Sequence, residues 1–85
     1  MNTTDYRLIG RGTQMYRRYI ALLETLMLTL AQERGLLEQE DLQGLYAEIR
    51  KEKPNLTGPL GLTKQEFDAL IARIQTRLLE YYASH

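Results

Sequence analysis

With no cysteine in the chain, the side chains that could carry out chemistry are one histidine, one serine and the carboxylates. His85 and Ser84 are the last two residues. A hydroxyl nucleophile activated by an imidazole must be held to about 0.5 Å, which a fraying chain end does poorly. Asp41, Glu48 and Glu52 fall at i, i+7 and i+11, close to one line of a helix. Paired carboxyls can divide proton donation and acceptance when burial separates their pKa values. Arg50 and Lys51 beside them make a solvated acidic face the expectation instead. Arg73 and Arg77 share a helical face and could grip an anion if they pointed inward, but Gln, Thr and Glu surround them, which places them at the surface. A di-iron bundle needs Glu-x-x-His pairs on two helices, and none is present. The absence of thiols excludes disulfides, iron–sulfur clusters and thiolate zinc sites. No catalytic residue, metal ligand or cofactor is therefore expected.

Charge gives a second line of argument. Eleven basic and eleven acidic residues cancel, so net charge offers no attraction to nucleic acid or an anionic membrane. The distribution is uneven. Residues 1–18 carry Arg7, Arg11, Arg17 and Arg18 against Asp5, whereas residues 19–52 carry seven acids against three bases. The four arginines alternate with Tyr6, Tyr16 and Tyr19, a composition suited to phosphate contact and base stacking. A helix-turn-helix reading meets the wrong sign, because the would-be recognition helix starts with Glu38, Glu40 and Asp41.

The elements that would position these residues are helical. Residues 1–12 are polar, contain Gly10 and Gly12, and show no sustained period, so they read as an arm preceding a single helical domain over 13–85. Thr13 can cap the first helix. Apolar residues then fall at 15, 16, 19, 20, 22, 23, 26, 27 and 30, which is the recurrence of a helix buried along one side. This arc leaves Leu28 outside, with Arg17, Glu24, Thr25 and Gln32, and Gly35 ends the helix. A second helix opens near Glu38, with Leu37 and Leu42 as a hydrophobic staple, buries Leu42, Leu45, Tyr46 and Ile49, and stops before Pro54. A turn-rich linker follows. Thr63 and Glu66 then form a capping box, and Phe67, Leu70, Ile71, Ile74 and Leu78 continue a third stripe. The expectation is an all-α, three-helix bundle with helices at about 13–34, 38–52 and 63–82.

The segment LTLAQERGLLEQEDLQGLYAEI, residues 28–49, resembles the N-terminal helical region of nitrile hydratase β subunits and their small accessory proteins. Glu33, Arg34, Gly35 and Leu36 match a turn, and Ala47, Glu48 and Ile49 match the close of a second helix. The early aromatic residues of that family are replaced by Gln39 and Leu42. The resemblance implies helical docking or metallocentre maturation, without independent catalysis.

The first helix holds more apolar surface than two partner helices readily cover, and Leu56 and Leu60 in the linker have no evident partner. An uncovered apolar face on a helix of a small protein points to another chain or a second copy. The expected function is a non-catalytic interaction or accessory protein that self-associates or docks through its first helix, with Tyr16, Tyr19, Leu28 and Tyr82 as contacts. The alternative is a nucleic-acid-associated regulator using Arg7, Arg11, Arg17 and Arg18. No signal-peptide or membrane-spanning pattern is present, and a cytoplasmic location is expected.

Overall fold

A computed structural model describes residues 14–58 and 61–85. Among the described residues four helices follow one another: α1 over Gln14–Arg34, α2 over Gln39–Glu52, the single turn α3 over Pro54–Thr57, and α4 over Lys64–Ser84. The three long helices match the expected elements closely, and the fold is a small all-α bundle. The expected arm, the Thr13 cap, Arg7, Arg11 and Leu60 lie outside the described residues.

Local chemistry accounts for most helix ends. Gly35 closes α1 at φ +68°, a conformation costly for any residue bearing a Cβ. The Leu36 N–H then donates to the Ala31 carbonyl at 2.8 Å and Gly35 N–H to Gln32 at 3.3 Å, which is the Schellman pattern. The α4 start has both bonds of its capping box: Glu66 N–H donates to Thr63 Oγ1 at 3.1 Å, and Thr63 N–H to Glu66 Oε1 at 2.8 Å. α2 starts at Glu38 without a side-chain cap, and relies on Glu40 and Asp41 in its first turn and Arg50 and Lys51 in its last. The linker holds one feature the sequence reading lacked. Pro54 sits in the first turn of α3, where its missing N–H costs nothing, and Thr57 is buried with its hydroxyl donating to the Pro54 carbonyl.

α1 and α4 run parallel and nearly in step. Tyr16 meets Glu66 near one end, and Glu24 meets Arg73 and Arg77 further along. α2 runs back along α4, the Leu37 carbonyl just before it accepting from Gln75 Nε2 at 3.3 Å. Its Tyr46 packs on Phe67 at the start of α4, while Glu48, two residues later, bonds Arg34 at the far end of α1. The core formed between the three consists of Leu23, Met27, Ala31, Leu42, Leu45, Ile49, Leu70, Ile71, Ile74 and Leu78.

The buried arc of α1 is rotated from the expected one. Met15 and Leu22, placed inside the arc by periodicity, are 69% and 52% exposed. Ala31 and Glu24 are buried, and Leu28 is half-buried against the core. The reason is that α4 packs on the flank of α1 that carries Glu24, whose carboxylate pairs with Arg73 and Arg77, so the buried sector extends to that side. Leu56, expected to lack a partner, also packs against the core.

Candidate functional site

Two polar arrangements stand on this scaffold. The first is on the α1–α4 seam. Glu24 reaches Arg73 Nε with Oε2 in a close ion pair, and Arg77 with Oε1 at 3.5 Å. The glutamate side chain is 12% exposed and both arginines are about half exposed. The two arginines are thus at the surface, as expected, with their inner edges bound to a glutamate that the sequence reading had placed on an outer face. Nothing in a stripe of i, i+4 arginines announces a carboxylate 49 residues earlier in the chain.

The second lies where the first turns of α1 and α4 meet α2. Tyr16 Oη donates to Glu66 Oε2, so the capping carboxylate also ties α1 to α4. The Tyr16 and Tyr19 rings lie 6.2 Å apart, and Tyr46 and Phe67 pack at 4.9 Å with a 56° tilt. The Tyr19 hydroxyl is buried and, among the described residues, has no hydrogen-bond partner. Burial pushes its pKa up to about 12; Tyr46 and Glu66 add to the rise and the nearby Arg50 guanidinium opposes it. Burial likewise raises the Tyr46 phenol, again against Arg50.

Beside this aromatic group a cleft of about 650 Å³ opens between α2, the α3 turn and the start of α4. Tyr46 and Phe67 form an aromatic wall, Thr57 and Gly61 lie along the linker side, and Arg50 and Lys64 also line it. Among the described residues no acidic side chain lines this cleft. Of the three carboxylates considered for proton chemistry, Glu48 is exposed and bonds Arg34 through both oxygens, at 3.0 and 3.1 Å. Asp41 and Glu52 are exposed too. The structure does not gather them into an enclosed site. Among the described residues no three His, Asp or Glu side chains converge as a metal ion would require.

The residues expected at an interface are dispersed. Tyr16 and Tyr19 belong to the aromatic junction, Leu28 to the α1–α4 seam, and Tyr82 to the far end of α4, where it packs edge-on against Tyr81 and is 36% exposed. Leu28, expected outside the apolar arc, is half-buried and packs against the core. Among the described residues the exposed large apolar side chains are Met15 and Leu22 on α1 and Leu79 and Tyr82 on α4. Arg17 and Arg18 are exposed at the start of α1. Among the described residues no helix is long and apolar enough to cross a membrane.

Fold and site together define a small all-α protein with an aromatic junction and a cation-lined cleft. No family model, curated protein or solved structure matches the chain.

Proposed function

We propose that this chain is a non-catalytic interaction protein that self-associates or docks on a larger protein along the uncovered edge of α1. The observation that supports this reading is the exposure of Met15 and Leu22, seven residues apart on one line of a helix that buries Leu23, Glu24, Met27 and Ala31 on its other faces. Tyr16 and Tyr19 adjoin that line and are tethered by the junction, which lowers the entropy cost of presenting them to a partner. An accessory role of the kind implied by the likeness of residues 28–49 is one form of the same reading. The exposed Arg17 and Arg18 favour, as a second reading, phosphate contact by the basic N-terminal region.

Sedimentation velocity over a wide concentration range, followed by capture from host lysate with and without nuclease, separates these readings. Wild type should show concentration-dependent association, or retain a nuclease-resistant protein, and Leu22→Glu should lose either. Recovery that depends on nucleic acid and ignores Leu22 would replace the docking reading with the arginine one.

A further inference from the structure

We propose that the cleft between α2, the α3 turn and the start of α4 binds a small anion with a flat apolar body, such as an aromatic carboxylate. Its volume of about 650 Å³ lies within the range of small-molecule sites, roughly 300 to 1,000 Å³. The wall supplies both halves of the recognition. Tyr46 and Phe67, packed 4.9 Å apart, present an aromatic surface that is held in place by the core behind it. Arg50 and Lys64 supply two positive charges on different elements, and among the described residues neither forms an ion pair. Among the described residues, an anion in the cleft therefore has no resident carboxylate to displace. Glu66, the acid of the same helical turn as Lys64, is turned to the Thr63 N–H and to Tyr16, away from this use. Pro54 and Leu62 extend the apolar lining, so a ligand with charge alone would leave part of the cleft unfilled.

The site is separate from the α1 edge and does not depend on the docking reading. The test is a two-dimensional amide NMR titration of the full chain with 1-naphthoate, using the neutral 1-naphthamide and inorganic phosphate as comparisons. Naphthoate should give saturable shifts centred on the amides of Gly58, Gly61 and Lys64, with naphthamide and phosphate each about tenfold weaker or worse. Arg50→Gln and Lys64→Gln, both at exposed positions, should each weaken naphthoate by about tenfold while leaving the rest of the spectrum in place. Four results would overturn the proposal: no saturation at millimolar naphthoate, shifts centred elsewhere, equal affinity for naphthamide or phosphate, or indifference to both substitutions. Shifts at the same amides from an acidic peptide, with none from naphthoate, would also overturn it and make the cleft a peptide site.

Discussion

Tyr19 carries a hydroxyl that the fold buries without a hydrogen-bond partner among the described residues. An unsatisfied buried hydroxyl opposes folding, so Tyr19→Phe should leave stability at neutral pH unchanged or raise it by up to about 1 kcal/mol, read from urea denaturation. The same residue gives a signed pH dependence. Its folded pKa, about 12, lies above the ordinary 10.0, so the phenol's contribution is intact below about pH 10. Between pH 10 and 12 the unfolded chain releases the proton more readily, and stability falls as pH rises. Tyr19→Phe should flatten part of that decline, with Tyr46, also raised, accounting for some of what remains. Glu24 is the opposite case, a nearly buried charge whose value lies in its partners. Glu24→Ala should cost about 1–3 kcal/mol, and Arg73→Ala should cost less in that background than in wild type. Equal costs in the two backgrounds would show that the pair is not energetically coupled. Neither residue's role could be read from spacing, because a periodic pattern gives the face of one helix and not the distant residue that fills it.

At the scale of the element the helix ends were the most legible part of the chain, because capping chemistry is completed within four or five residues. Thr63 and Glu66 form the expected box and Gly35 takes the expected positive φ. Thr63→Ala should lower stability by about 1 kcal/mol through loss of the Glu66 N–H acceptor, measured by thermal unfolding. Gly44 was less legible: a glycine within a helix either permits close approach of a neighbour or is merely tolerated. Here a Cβ at Gly44 would meet nothing within 4 Å and the residue is exposed, so close approach is not its purpose. Gly44→Ala should therefore stabilise α2 by about 0.5–1 kcal/mol, raising the unfolding midpoint by several degrees. No gain would mean that the helical conformation at this position is already strongly preferred in the unfolded chain. The α3 turn escaped the sequence reading because four residues are too few to show a period, although Pro54 followed by Gly58 now reads as its start and stop.

For the whole molecule, the question is which apolar residues hold the protein together and which remain for another surface. Periodicity alone divided α1 into an apolar arc and an outer face, with Leu22 inside and Leu28 outside; the structure reverses both positions. Leu22 sits at the margin of the expected arc, whereas Leu28 lies nearly opposite its centre, so periodicity gave no sign of the burial of Leu28, which the position of α4 decides. The Glu24 contact with Arg73 and Arg77 fixes that position, since it brings α4 against the flank that carries Leu28. The cleft was illegible for a related reason: its wall is drawn from α2, α3, the linker and α4, and only the packing of α2 on α4 brings Tyr46 onto Phe67. A paired substitution on α1 tests this division directly. Leu28→Glu inserts a charge into the packed seam and should destabilise the folded chain by about 1–3 kcal/mol at any protein concentration. Leu22→Glu should leave the stability of the dilute protein within about 0.5 kcal/mol of wild type, because the side chain is half exposed in the isolated fold. If the α1 edge is a self-association surface, the midpoint of wild type should rise with concentration while that of Leu22→Glu stays constant, since association stabilises only the folded state. A Leu22→Glu protein that unfolds as readily as Leu28→Glu would show that the edge belongs to the core after all, and the docking reading would lose its support.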